Sequence, residues 1–107
     1  MSILVRDSPS ASRYEIYDGE QLAGFAAYTL SDRRIAFTHT EVVPPFGGLG
    51  LAGRLVAEAL EDARRQGRSV LPVCPYVLKV IANDPGTYLE LVPVEDRARF
   101  GLDHITD

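Results

Sequence analysis

Three groups of residues in this chain have types and spacing suited to chemistry. His39 and Glu41 stand two apart in the segment Ile35-Ala36-Phe37-Thr38-His39-Thr40-Glu41-Val42-Val43. In an extended strand that spacing puts both side chains on one side, together with Ile35 and Phe37. An imidazole–carboxylate pair at the end of an apolar strand face can take a proton from an incoming amine. The alternative is a structural histidine beside a solvated carboxylate. The second group is the turn Gly47-Gly48-Leu49-Gly50-Leu51-Ala52, where a strand runs into a helix. Such a turn offers unpaired backbone N–H groups and the positive end of a helix dipole, a setting for a pyrophosphate. Glycine there leaves the anion free to approach the backbone. The bland reading is a tight connection that binds nothing. The third is Cys74, the single cysteine, directly before Pro75. A helix N-terminus favours a thiolate, so Cys74 suits a nucleophile or an acid that protonates a leaving thiolate. It equally suits a small buried filler.

The elements that must position these groups are legible from periodicity. Ile3 to Arg6 reads as a short strand and Ser8 to Ser12 as a loop. Asp18-Gly19 lies between Arg13-Tyr14-Glu15-Ile16-Tyr17 and an apolar run, which predicts a hairpin. Its second arm is Gln21 to Leu30, and after the polar turn Ser31-Asp32-Arg33 a third antiparallel strand covers Arg34 to Val43, ending at Pro44-Pro45. Ala52, Leu55, Val56, Ala59, Leu60 and Ala63 recur at helical spacing, opposite Arg54, Glu58, Glu61, Arg64 and Arg65, with Gly67 to end the helix. Ser69 to Val73 reads as a buried strand, and Pro75 opens a second helix ending near Asn83 and Pro85. Strand, helix and strand in succession predict a right-handed crossover onto a parallel pair. The fold class is a mixed α/β (α+β) domain, an antiparallel meander followed by a β-α-β-α unit.

The bulk properties set limits. A chain of 107 residues makes one domain with a real core. A net charge of -4 and a pI near 5.1 are a poor footprint for nucleic acid, which needs clustered Lys and Arg. No apolar run has the length of a membrane helix, and the N-terminus lacks the pattern of a secretory signal. One cysteine fits a reducing, cytoplasmic setting. His39, His104 and Cys74 show no metal-ligand spacing. The oligomeric state is not readable, although the edge of a small meander can pair.

Three motifs in order, His39-Thr40-Glu41-Val42, Gly48-Leu49-Gly50-Leu51-Ala52 and Pro72-Val73-Cys74-Pro75-Tyr76-Val77, make the chain resemble the minimal GCN5-related N-acetyltransferase-like (GNAT-like) family over about residues 13–92. The resemblance implies a reduced GNAT-like core in which the parallel strands ending at Val43 and Cys74 splay into a coenzyme A cleft. It implies acetyl-CoA as cofactor, with pantetheine along Glu41 to Val43 and pyrophosphate on amides from Gly48 to Ala52. The cofactor-binding set is then Val42, Val43, Gly47, Gly48, Leu49, Gly50, Leu51 and Ala52. The reaction implied is acetyl transfer to an amine, on a small molecule or a protein, near Cys74, with His39 and Glu41 as base candidates. Tyr76, Asn83 and Tyr88 are weaker candidates for the acceptor end. The alternative is a module that binds coenzyme A or acyl-CoA without turnover. Two departures bear on it: relatives carry a polar residue where this chain has Gly47, and His-Pro-Glu-Tyr where it reads Asp84-Pro85-Gly86-Thr87-Tyr88. The tail from Pro93 to Asp107 lies outside the resemblance and reads as a surface extension.

Overall fold

The computed structural model describes residues 2–105. Five strands form one sheet in the order β1 (Ile3–Ser8), β2 (Arg13–Asp18), β3 (Gln21–Ser31), β4 (Arg34–Val42) and β5 (Ser69–Pro72). The first four pair antiparallel and β4 pairs parallel with β5, as the meander and crossover predict. Between β4 and β5 runs α1 (Leu51–Arg65); α2 (Pro75–Asn83) and a single turn, α3 (Pro85–Tyr88), follow. Among the described residues no helix is long and apolar enough to cross a membrane.

Helix α1 forms where the periodicity puts it. Leu55, Val56, Ala59, Leu60 and Ala63 are buried, while Arg54–Glu58 and Arg64–Glu61 pair along its wetted side. Arg64 and Arg65 occupy its last turn, where cations suit the dipole. The face of the sheet under α1 carries Tyr14, Ile16, Ala26, Tyr28, Ile35, Phe37 and Val70, all buried. Three of these rings pack at 5.5–6.4 Å between centroids. The phenols of this cluster end on carboxylates: Tyr14 donates to Asp62 at 2.5 Å and Tyr28 to Asp7 at 2.6 Å. Burial first, then those hydrogen bonds and the nearby negative charge, push both phenols well above the usual tyrosine range.

Among the described residues, arginines rather than a helix cover the opposite face of the sheet over β2 and β3. Arg6 stacks on Tyr17 at 4.6 Å and Arg13 on Phe25 at 4.7 Å, laying aliphatic stems over apolar surface. Both arginines are anchored by Glu15, at 3.8 and 2.8 Å, and Glu15 is only 5% exposed. Burial alone would raise the Glu15 carboxyl. Hydrogen bonds from Arg13 and Tyr17 and the charges of both arginines outweigh it and hold the carboxyl below its ordinary value.

The tail from Pro93 is more than a surface extension. Leu102 is 1% exposed inside the main core, beside Leu89 and Val92. Arg97 donates to the carbonyls of Val92 and Leu89, and Arg34 pairs with Glu95 and Asp96. Short 3-10 turns at Val94–Asp96 and Ala98–Phe100 carry the chain around to place Leu102.

Candidate active site

The site begins where β4 and β5 part. Their pairing runs from Arg34 opposite Ser69 to Phe37 opposite Pro72, and its last rung is the Cys74 N–H to the Phe37 carbonyl at 2.7 Å. Beyond it β5 cannot follow β4. Pro72 and Pro75 bracket the break, and the Val73 N–H turns back onto Leu71 at 3.0 Å. Strand β4 continues alone to Val42, still held on its other side by β3. The Val43 N–H bonds to Ala23 at 2.8 Å, so by alternation Thr40 and Val42 turn their backbone groups away from β3, into the opened wedge.

At the far end of β4 the chain makes a 3-10 turn at Pro44–Phe46 and enters α1 through Gly48, Leu49 and Gly50. Gly48 and Gly50 have φ of 79° and 74°, a left-handed backbone that favours glycine, and a Cβ on either would point into open space. The first helical turn, Leu51-Ala52-Gly53, contains no acid, and Gly50 gives no side-chain cap. Among the described residues, the N–H groups from Gly48 to Gly53 find no protein acceptor outside the helix ladder. Amides without a protein acceptor at the positive end of a fifteen-residue helix, with open space beside Gly48 and Gly50, suit a pyrophosphate. Gly47 has an ordinary φ of -63°, so its backbone would accept a side chain.

Cys74 caps α2 with extended backbone and is 3% exposed. Its carbonyl accepts the Leu78 N–H, and its Sγ lies 3.4 Å from Thr40 Oγ1 across the wedge. Tyr76, 37% exposed, reaches back over the first turn of α1: a Cβ on Gly53 would lie 3.5 Å from its hydroxyl. The starts of α1 and α2 therefore flank one cleft. Leu49 and Val73, each about half exposed, lie on segments that border it.

His39 and Glu41 do not share a side with Ile35 and Phe37, contrary to the alternation expected from the sequence. The β3–β4 register shifts so that Phe37 pairs with Tyr28 and His39 with Ala27, leaving Thr38 as an extra residue. This β-bulge puts Thr38 and His39 both opposite Ala27 and reverses the faces beyond it. Thr40 consequently turns toward Cys74. His39 and Glu41 turn to the arginine-covered face, 60% and 57% exposed, with Nε2 and Oε1 3.2 Å apart and the Phe25 ring 6.0 Å from the imidazole. The histidine–carboxylate pair thus lies on one face of β4, and Thr40, whose hydroxyl meets the Cys74 thiol, lies on the other.

Asn83 and Tyr88 lie away from these groups. Asn83 is exposed at the C-terminal end of α2, roughly 13 Å along the helix from Cys74. Tyr88 sits beside the back half of α1, where burial, and after it the charges of Glu61 and Asp84, raise its phenol. Thr40 went unrecognised in the sequence reading; the one signal for it was its place between His39 and Glu41 in the motif. A groove of about 200 Å³, lined by Val5, Arg6, Asp7, Tyr14, Glu58, Asp62 and Arg65, lies along the back half of α1, away from the wedge.

No curated protein matches the chain. The family described as GCN5-related N-acetyl-transferase matches residues 13–91, which span β2 to β4, the glycine turn, α1, the wedge and α2. With well over half of its length matched, and with the mixed five-strand sheet observed, the chain belongs to the GCN5-related N-acetyltransferase family.

Proposed function

We propose that this domain transfers the acetyl group of acetyl-CoA to an amine. The observation that carries the reading is the wedge between β4 and β5, opening beside a row of unpaired amides from Gly48 to Gly53. The bound cofactor supplies an activated acyl group on a thioester. The amides of the turn hold its pyrophosphate, and the inward backbone groups of Thr40 and Val42 align its amide-bearing arm along β4. Val43 and Leu49 line the route, and Gly47 leaves its entrance without a side-chain contact. Cys74 and Thr40 stand at the inner end, where the departing thiolate needs a proton. His39 faces the other side of the sheet, next to the unpaired edge of β4, and its free electron pair takes the proton of an acceptor amine arriving there. Glu41, 3.2 Å away, fixes the imidazole tautomer and balances the charge it acquires.

A second reading, a module that binds coenzyme A without turnover, draws on Gly47, on the missing late histidine and on the placement of His39 away from Cys74. Titration with acetyl-CoA, followed by NMR and calorimetry against coenzyme A and ATP as controls, tests both. Saturable binding with shifts at Val42 to Ala52 and around Cys74 supports the cofactor site, and an amine screen then separates enzyme from binder. Absence of binding at millimolar ligand overturns both readings.

A further inference from the structure

We propose that Thr40 is a positioning residue for Cys74: its hydroxyl donates a hydrogen bond to the cysteine sulfur and keeps that sulfur turned into the wedge. The pairing rests on Oγ1 and Sγ at 3.4 Å, within hydrogen-bond reach for sulfur, across the point where β4 and β5 separate. It exists because of the bulge. Had β4 kept strict alternation past Phe37, residues 39 and 41 would face α2 and Thr40 would face solvent. The extra residue Thr38 exchanges them. A hydroxyl of adaptable orientation comes to the buried sulfur, and the charged pair goes to water.

The surroundings favour donation by the threonine. Cys74 is 3% exposed, and Cys74 Sγ is the one polar side-chain partner found for Thr40 Oγ1 among the described residues. A thiolate only accepts, so any negative charge that develops on the sulfur draws the hydroxyl proton toward it, and a hydrogen bond to a charged acceptor is the stronger kind. The backbone on both sides is fixed, by the Cys74 N–H on Phe37 and the Val43 N–H on Ala23, so the approach is held by the fold rather than by chance rotamers.

The inference concerns the sulfur that the proposed acetyl transfer uses, so the test is chosen to read that sulfur without needing turnover. The ultraviolet thiolate signal of the whole chain is followed against pH, with Cys74→Ala as the blank, in Thr40→Val and Thr40→Ser, alongside thermal melts. Valine keeps the shape and removes the donor; serine keeps the donor. At a fixed mildly alkaline pH the valine variant should show a thiolate fraction about threefold to tenfold lower than the parent, with serine restoring most of it. A merely structural role gives the opposite sign, since loosened packing exposes the sulfur to water and raises the thiolate fraction. Equal signals in all three proteins, or a rise in the valine variant, overturn the proposal. Acetyl-CoA titration of the same variants keeps the two ideas apart. Loss of the thiolate difference with binding intact rejects the role of Thr40 alone. Absent binding in the parent rejects the cofactor reading and leaves the thiolate comparison decisive for Thr40.

Discussion

Gly50 offers the cleanest separation of folding from binding. Its φ of 74° and the open space before its missing Cβ mean that a new side chain there meets no neighbour. The only folding cost is the left-handed backbone, about 1–2 kcal/mol for an ordinary residue and less for Asn or Asp, which visit that region. Gly50→Asn and Gly50→Asp are therefore a matched pair, equal in shape and both tolerant of the left-handed backbone. The aspartate adds a charge at the positive end of α1, which should stabilise it over asparagine by about 0.3–1 kcal/mol, or roughly 2–8 °C in Tm. At the proposed pyrophosphate position, about 5 Å away, the same charge costs about 3 kcal/mol at an effective dielectric near 20, less after screening. The aspartate variant should consequently be the more stable of the two and bind acetyl-CoA at least about tenfold more weakly, with the gap widening at low salt. Paired calorimetry and thermal melts make the comparison. Equal affinities in two folded variants would refute the placement of the anion on this turn.

Cys74→Ala should leave acetyl-CoA affinity within a few-fold of the parent while lowering the transfer rate by about 10²-fold or more; steady-state kinetics with unchanged turnover would remove Cys74 from the chemistry. Gly24→Ala would place a Cβ 2.6 Å from the Glu41 carbonyl and 3.3 Å from the Val42 Cα, both backbone atoms, so β3 and β4 must move apart. The expected loss is about 1–3 kcal/mol in denaturant melts, together with weaker acetyl-CoA binding. Tyr14→Phe removes the donor to Asp62 and should cost about 1–2 kcal/mol. Because Tyr14 and Tyr28 have folded values raised above the unfolded one, their contribution is complete below about pH 10 and is lost as pH rises further; stability measured from neutral to strongly alkaline pH should fall there, and less steeply in Tyr14→Phe. Leu102→Ala, outside the family match, should lose about 2–5 kcal/mol, whereas a truly peripheral tail would lose almost nothing.

The parts legible in the sequence were those with a local cause. The spacing of Leu55, Val56, Ala59, Leu60 and Ala63 is a helix with one buried side, and α1 is that helix. The Asp18-Gly19 turn, the double proline after β4 and Pro75 at the start of α2 each mark a boundary that backbone geometry enforces. The bulge at Thr38 has no such marker. One extra residue changes neither composition nor β-propensity, yet it inverts every side chain after it, so His39 and Glu41 were assigned to the wrong face and Thr40 was passed over. The burial of Leu102 was hidden for a different reason: short turns such as Ala98–Phe100 carry no periodicity, and the contacts that bury the leucine are remote in sequence. Glu15, a buried carboxylate, depends likewise on arginines from two strands and a tyrosine beside it.

The facing of β4 also answers a chemical difficulty in the proposed reaction. Acetyl transfer to an amine asks for a base at the nitrogen and an acid at the departing sulfur in one turnover. If the imidazole and the thiol touched, the thiol proton could pass to the imidazole, giving a thiolate–imidazolium pair with the two roles exchanged. Adjacent residues of a pleated strand point to opposite faces, so Thr40 with Cys74 on one side and His39 with Glu41 on the other are close in the chain but separated by the backbone. The pairing of β4 with β5 ends after Phe37, so the proposed route brings cofactor and amine together at that gap. The same arrangement sets direction on the proposed route: the cofactor from the side of α1 and its free amides, the amine from the face that Arg13 and Phe25 leave flat beside His39.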